Sequence, residues 1–346
     1  MVQLLHIKSD KLAHSFSVWL LGEDITGGDH PLKQRLLRLC REGGIVGLEA
    51  LRTFDVLLSS PCQYIIDRLV TAQLESRGYH LNSISPEAII NSWSDVEDER
   101  EKMENLSEDH TTQPRSRRSV TPSRTLAPSN IHRLVNCWLY LVPDILKLDE
   151  VRGSGYDQYV TDAAKQIEAT ARECSGFDWP REATWTSWDC NDASSSDSRV
   201  EADPSRVWSE PVLVSTILDM LAQCLDNDYD TNLQLTSVIS RLAHLGHPFL
   251  HEFLLNPTIP LNPGVRTLYT VLKEVLSQAV IKSESVKHFP LKMLSCRRKL
   301  LGDKNTSSKD IEMSAEEAIL LEAILVLDEF SKELAAVTFV KYQCFA

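Results

Sequence analysis

Apolar residues recur at intervals of three and four along most of this chain, which is the spacing of one face of an α-helix. The pattern is clearest between residues 229 and 255, where two apolar stripes flank a short joint. The first stripe consists of Leu235, Val238, Ile239 and Leu242, and the second of Phe249, Leu250, Phe253 and Leu254. We interpret this stretch as a helical hairpin. Such a hairpin cannot bury its apolar face alone, and stacked units of this kind build α-solenoids.

The ends of both helices are marked by residues with a known preference for these positions. Asp230, Thr231 and Asn232 are all good N-cap residues for the first helix, because a short side-chain oxygen accepts a free backbone N–H. Gly246 is expected to supply a left-handed turn that ends this helix. Pro248 then suits the first position of the second helix, which Pro257 stops.

The same periodicity predicts helices elsewhere, and no segment alternates strictly enough to indicate a strand. The remaining helices are predicted over 12–20, 31–40, 48–58, 65–70, 134–141, 159–173, 213–225, 268–276, 286–301 and 314–340. Ser314 and Glu317 form a capping-box pattern at the start of the last and longest helix. We therefore expect an all-α fold, an irregular α-solenoid of ARM/HEAT-like helical hairpins interrupted by disordered polar loops. No repeat of fixed period is visible, so an irregular helical bundle stays open as the alternative.

Polar stretches divide the chain into three regions. We expect helical repeats over 1–90, a disordered loop over 91–130, and a C-terminal helical domain over 131–346 with polar loops near 188–205 and 302–313. The loop 91–130 is acidic first and then rich in Ser, Arg and Pro, which leaves too little apolar surface to offset the entropy of ordering. Ser119 follows three arginines and is a candidate phosphorylation site. The alternative is a solvated linker with incidental arginines.

The composition of the 346 residues narrows the possible functions. Its 42% hydrophobic and 25% charged residues are ordinary for a globular protein, and the net charge of −13 argues against nucleic-acid binding. The eight cysteines form no CxxC pair and are expected to be reduced thiols. Neither a secretory signal nor a long apolar span is recognisable. We expect a cytoplasmic protein that contacts membranes only indirectly.

Few patterns indicate chemistry. His244, His247 and His251 have a spacing that resembles a metal site, but Gly246 and Pro248 place a turn between them, and the alternative is ordinary turn histidines. No phosphate-binding loop, dinucleotide fingerprint or nucleophile elbow is present. We therefore expect no catalytic residue, no cofactor and no metal. The basic stretch 287–299 could meet anionic lipid or an acidic partner. Alternatively, its charged residues form the solvent-exposed face of a packed helix whose apolar residues are buried, namely Phe289, Leu291, Leu294 and Leu300.

Several stretches resemble the FTS- and Hook-interacting protein (FHIP) family, the FHIP subunits of the FTS–Hook–FHIP (FHF) complex. They occur in one order along the chain, and the set is more specific than any single block. The blocks are LRTFDVLL (51–58), GSGYDQYVTDA (153–163), YDTNLQLTSVISRL (229–242), HPFLHEFLLNP (247–257), CRRKLLG (296–302) and DEFSKELAAVTFVKY (328–342). A further block, LVNCWLYLVPD (134–144), resembles the type-2 branch of that family.

The resemblance implies a non-catalytic scaffold with named partners. These are the Hook coiled-coil adaptors, the ubiquitin-conjugating-enzyme-like protein FTS and, on the cargo membrane, a Rab GTPase. Through Hook, such complexes link vesicles or endosomes to dynein–dynactin for transport on microtubules. The alternative function is a helical regulator of a Rab GTPase, an exchange factor or an effector.

The resemblance also marks candidate site residues without assigning them a role. They are Tyr229, Asp230, Asn232, Gln234, His247, Pro248, His251, Glu252, Glu333 and Leu334. Family members are considerably longer, and the matched blocks correspond to their C-terminal half. We therefore expect an apolar face at the first stripe, residues 12–20, that favours self-association of the isolated chain.

Overall fold

The computed structural model describes residues 15, 18–22, 31–60, 62–74, 78–80, 128–148, 155–180, 208–302 and 312–345. Ser119, residues 12–14 of the first apolar stripe, the polar segment 188–205 and most of 302–313 lie outside these ranges, so the predictions made for them stay predictions. In the first stripe, Leu20 and Leu21 are buried, whereas Trp19 is half exposed.

The described residues form helices joined by short turns. In chain order the helices are α1 (Pro31–Glu42), α2 (Gly44–Leu58), α3 (Gln63–Ile66, the π-helical turn Asp67–Thr71 and Ala72–Leu74), α4 (Pro128–Leu139), α5 (Tyr156–Glu173), α6 (Val212–Ala222), α7 (Tyr229–His244), α8 (Pro248–Leu255), α9 (Leu268–Glu284), α10 (Phe289–Leu300) and α11 (Ala315–Phe345). A single 3₁₀ turn, Asp144–Leu146, follows α4. Within these ranges the only β-type pairing is an isolated antiparallel bridge between His80 and Leu261. No helix of the described residues is both long and apolar enough to cross a membrane.

The predicted hairpin is formed by α7 and α8, with two corrections at its caps. The N-cap of α7 is Asp228, whose carboxylate accepts the backbone N–H of Thr231 at 2.7 Å, rather than one of the residues 230–232. Gly246 does not take a left-handed conformation, because α7 ends at Leu245 in an extended conformation. Pro248 does open α8, as predicted, and α8 ends just before Asn256.

The longest helix, α11, is the centre of the packing. It contacts α4, α5, α7 and α10, and α7 in turn contacts α2 and α6. The largest side chain of this core is Trp138 on α4, which is fully buried and donates its indole N–H to the carbonyl of Leu255 at 3.3 Å. One continuous hydrophobic cluster therefore joins helices from both ends of the chain.

Two features of α10 and α11 test finer predictions. Ser314 and Glu317 form the predicted capping box, with reciprocal bonds of 3.0 and 3.1 Å between side chains and backbone N–H groups. On α10 the prediction that Leu291 is buried is wrong. Leu291 is 56% exposed, whereas its neighbour Lys292 is buried and pairs with Glu317 at 2.6 Å.

Two tryptophans dock separate parts of the chain onto α3. Trp179 donates its indole N–H to the carboxylate of Asp67 at 3.2 Å. Trp208 donates to the carbonyl of Gln73 at 3.2 Å, and its ring lies so close to Gly78 that an added Cβ would be 2.5 Å from it. The position of Gly78 therefore requires a residue without a side chain.

The all-α fold is confirmed for the described residues, whereas the solenoid stays a prediction. Neighbouring helices do form hairpins, as α1 with α2 and α7 with α8. In a simple solenoid each repeat contacts only its neighbours. Here α11 packs on α4 and α5, which lie far earlier in the chain. The packing has features of both architectures that the sequence left open.

We expect Asp228→Ala to lower the free energy of unfolding by about 1 kcal/mol, because it leaves a backbone N–H of the first turn of α7 without its acceptor. Urea unfolding followed by circular dichroism measures this change. The matched control is Asp230→Ala, two residues away on an exposed side chain that caps nothing. Equal destabilisation by both variants would contradict the assigned cap.

Candidate partner-binding groove

An open groove lies between α5, α7, α10 and α11 and encloses about 350 Å³. The helix α11 supplies one wall with Val326, Glu329, Phe330 and Glu333, whose spacing of three and four places them on one helical face. Leu325 extends this wall. The groove therefore exists because α11 is long enough to pack against three other helices at once.

The facing walls come from three separate parts of the sequence. The helix α7 contributes Tyr229, Leu233 and Thr236, which recur at i, i+4 and i+7. The end of α10 contributes Arg297, Leu300 and Leu301, and α5 contributes Tyr159. Two of the sequence-predicted site residues, Tyr229 and Glu333, are thus brought together in one concave surface.

The rim of the groove exposes large apolar side chains. Leu233 on α7 is 41% exposed and Leu301 at the end of α10 is 71% exposed. Single exposed apolar residues are common on protein surfaces, whereas apolar residues that border a concave site often mark a contact surface. The groove and its rim together form a mostly apolar surface with a few polar groups.

Charged groups lie on opposite walls of the groove. Glu329 on α11 accepts a hydrogen bond from the hydroxyl of Tyr159 and pairs with Lys332 at 3.2 Å. Burial raises the pKa of the Glu333 carboxyl, and the hydroxyl of Ser240 only partly offsets this shift. On the other wall, Arg297 forms no ion pair with any residue in the described ranges. The α11 wall is therefore acidic and the α10 wall is basic.

The other predicted site residues on α7 and α11 lie outside the groove lining. Asn232 is buried and donates to the carbonyl of Cys224 at 2.7 Å, which ties the start of α7 to the end of α6. Gln234 donates to Asp55 on α2 at 3.0 Å. Leu334 is fully buried in the core, whereas Asp230 is exposed in the first turn of α7. Asn232, Gln234 and Leu334 thus hold the walls in place, and none of the four residues lines the groove.

The remaining predicted site residues lie at the start of α8, away from the groove lining. His247 is fully buried and contacts the ring of Trp179 edge-on at a centroid distance of 5.4 Å. Neither ring nitrogen of His247 has a hydrogen-bond partner within the described residues. Pro248 follows as the first residue of α8, and Glu252 accepts a hydrogen bond from Tyr79 at 3.3 Å. Both His247 and Glu252 are thus packed inside the fold.

The three histidines that resembled a metal site lie within electrostatic reach of a buried cation. The ammonium of Lys341 on α11 donates to the carbonyl of Leu245. Burial, with Lys341 adding to it, lowers the pKa of His244 to about 4 and that of His251 well below its usual range. Burial also lowers the pKa of His247 to about 4, with Asp67 partly opposing the shift. Among the described residues no group of three potential ligands has the geometry to hold a metal ion.

Sequence reasoning missed three of the groove and core residues that matter most. Tyr159 and Arg297 line the groove. Both lie in blocks of the family resemblance, 153–163 and 296–302, but neither was singled out as a site residue. Lys341 carries a signal that could have been used. It lies seven residues after Leu334 and four after Val337, on the same buried face of α11. A lysine in such a stripe predicts a buried cation with a backbone or carboxylate acceptor.

We expect the free energy of unfolding to fall by roughly 1–2 kcal/mol between pH 6.5 and pH 4 because of His247. The folded state lowers the pKa of this imidazole, so its contribution is present above the unfolded pKa and is lost as the pH falls toward the folded value. His247→Phe keeps an aromatic ring there and should flatten this slope, as urea unfolding at several pH values would show. His132→Phe, on the exposed surface of α4, is the control and should leave the slope unchanged.

Glu333→Gln should stabilise the fold at pH 8 and have no effect near pH 4. Burial raises the pKa of the Glu333 carboxyl in the folded state. Its contribution to the free energy of unfolding is therefore fully present below the pKa of the unfolded state and is lost as the pH rises through the pKa of the folded state. The glutamine amide does not ionise, so the variant keeps this stability at pH 8. Thermal unfolding at both pH values measures the difference, with the exposed Glu316→Gln on the same helix as control. A destabilised Glu333→Gln variant at pH 8 would contradict this assignment.

Comparison with known protein families places most of the groove in two matched regions. Residues 210–303 match a family of unknown function, DUF5917, and residues 315–344 match the KELAA motif, which the chain contains as residues 332–336. The first region runs from just before α6 to just after α10, and the second covers nearly all of α11. Three of the four helices that line the groove therefore belong to matched regions.

Curated relatives carry a common family name. A FHIP family protein of Nematostella vectensis is 42% identical over 73 residues, which are 21% of this chain and 8% of that protein. The human and mouse proteins named FHF complex subunit HOOK-interacting protein 1A are each 33% identical over 101 residues, 28% of this chain and 10% and 9% of theirs. The alignments thus span less than two thirds of the relatives' length, and the type-2 branch stays a prediction. Together with the ordered set of sequence blocks, these relatives show that part of this chain is similar to FHIP family proteins.

Proposed function

We propose that this chain is a non-catalytic scaffold subunit that binds a HOOK protein within an FHF-type complex. Two relatives are named as HOOK-interacting subunits of the FHF complex, and the family relation brings that function to this chain as a proposal. The observation that carries it is the groove. It is formed almost entirely by the matched regions 210–303 and 315–344, and its surface suits a protein partner better than a reaction.

The chemistry of the groove supports a binding role. Its described lining contains no histidine, cysteine or serine, so the side-chain pair of nucleophile and base that many hydrolases use is not assembled there. The hydroxyl of Thr236 is already engaged, since it donates to backbone carbonyls of α7 at 3.0 and 3.1 Å. Elsewhere in the fold, burial raises the pKa of Cys40 and Cys224 to about 12, which disfavours the reactive thiolate.

The proposal extends to the other members of the complex and to its place in the cell. FTS would be the second partner, and Hook would connect the assembly to dynein–dynactin. The chain would be cytoplasmic and peripherally associated with vesicles or endosomes, through a Rab GTPase on the cargo membrane. The sequence resemblance supports these finer points. The acidic net charge of −13 is consistent with a membrane contact made through proteins rather than through anionic lipid.

The direct test is co-purification of the tagged 346-residue chain with a HOOK protein, in the presence and absence of FTS. We expect the HOOK protein to be retained at a stoichiometric ratio after washing. A HOOK protein passed over the tag alone is the control for unspecific retention. If the chain is folded by circular dichroism and retains no HOOK protein in either condition, the proposal is wrong.

A further inference from the structure

The groove presents a surface with charge on two sides and apolar residues between them. Glu329 and Glu333 lie on the α11 wall, and Arg297 lies on the α10 wall. Phe330 on the α11 wall and Leu300 on the α10 wall supply apolar surface beside these charges. An occupant that matches this surface needs an apolar face with a basic group on one side and an acidic or neutral group on the other.

The position of the apolar residues indicates the size of the occupant. A volume of about 350 Å³ lies at the small end of small-molecule pockets. However, Leu301 is 71% exposed and Leu233 is 41% exposed, and both extend the apolar surface to the outer edge of the groove. A small molecule inside the cleft would cover only the part of these side chains that lines it. A partner segment that lies along the groove would cover them as well.

We propose that this groove docks an amphipathic helix of the HOOK partner, with apolar side chains between Leu233 and Leu301 and a lysine or arginine against Glu329 and Glu333. The inference rests on the proposed function for the identity of the partner, and on the groove for the chemistry of the contact. An amphipathic helix in an apolar groove is anchored by residues at i, i+3, i+4 and i+7.

The charge of the α11 wall favours a basic side chain. Glu333 is mostly removed from water and forms no ion pair within the described residues, so its anionic form is poorly stabilised in the free chain. A guanidinium or ammonium group placed beside it would supply the missing counter-charge in a partly desolvated site, where such a pair is worth more than on an open surface. The free guanidinium of Arg297 opposite disfavours a second basic group on that side.

The apolar part of the contact is tested by substitutions at the exposed rim. Leu233→Ser and Leu301→Ser should each weaken binding of a purified HOOK protein by at least about tenfold, because anchor residues at such sites contribute 1.4 kcal/mol or more. The matched controls are Ile281→Ser on α9 and Ile145→Ser after α4, which are 69% and 62% exposed and do not line the groove. They should change the affinity by less than about twofold.

The charged part is tested by Glu333→Gln and by salt. This variant should weaken binding and reduce the loss of affinity between low and high salt, since one ion pair is removed. Because Glu333→Gln is expected to stabilise the fold at pH 8, weaker binding by this variant at pH 8 cannot be due to unfolding. Glu316→Gln, in the first turn of α11 and outside the groove, should keep the salt dependence of the unsubstituted chain.

A photo-cross-linking residue at position 233 identifies the occupant. We expect cross-links to one helical segment of the HOOK protein with apolar residues on one face and a lysine or arginine next to them. Retained binding by both rim variants, or cross-links to a segment without a basic residue, would overturn the groove proposal and leave the proposed function in place. Absence of binding by the unsubstituted chain would overturn both.

Discussion

The burial of α11 is the interaction on which the rest of the fold depends. Its residues Leu321, Ile324, Leu334 and Val337 are buried, and the helices α4, α5, α7 and α10 contact it. Each of those helices has an apolar stripe that it cannot bury alone, and α11 offers them a shared surface. The groove results from this packing. It forms where α5, α7 and α10 reach the same length of α11 without closing over it.

Lys292 and Lys341 are buried in this fold, and a nearby acceptor offsets the desolvation cost of each. Lys341 has its ammonium at the carbonyl of Leu245, where the backbone of α7 has ended and leaves an acceptor available. The neighbouring imidazoles at positions 244, 247 and 251 remain neutral near this cation, because burial and the positive charge both oppose protonation. On α10, the buried ammonium group of Lys292 likewise has a close acceptor, the carboxylate of Glu317 at 2.6 Å. Burying a charge is tolerated when its partner is close and geometrically fixed.

The sequence was sufficient to predict the helices, because each apolar stripe is local information. The capping box of Ser314 and Glu317 and the role of Pro248 are local in the same sense. The packing of α11 against α4 was not predictable, since a stripe defines a face but not the helix that covers it. Leu291 and Lys292 show a related limit. They are adjacent on a helix with mixed composition, and Glu317, the partner of the buried Lys292, lies on a different helix that no local pattern identifies. For the groove, family resemblance marked Tyr229 and Glu333 without a role. Arg297 and Tyr159 lie in other resembling blocks, and only the tertiary packing of α5 and α10 brings them to the same surface.

The docking of Trp179 and Trp208 on α3 has a consequence for how the chain can vary in length. Both indole groups donate to acceptors on α3, Asp67 and the carbonyl of Gln73, so the chain leaves α3 before residue 181 and returns to it after residue 207. The entropy of closing such a connection grows only with the logarithm of its length, by about 0.6 kcal/mol for each doubling. Related chains can therefore differ widely between these tryptophans while their helices stay in register.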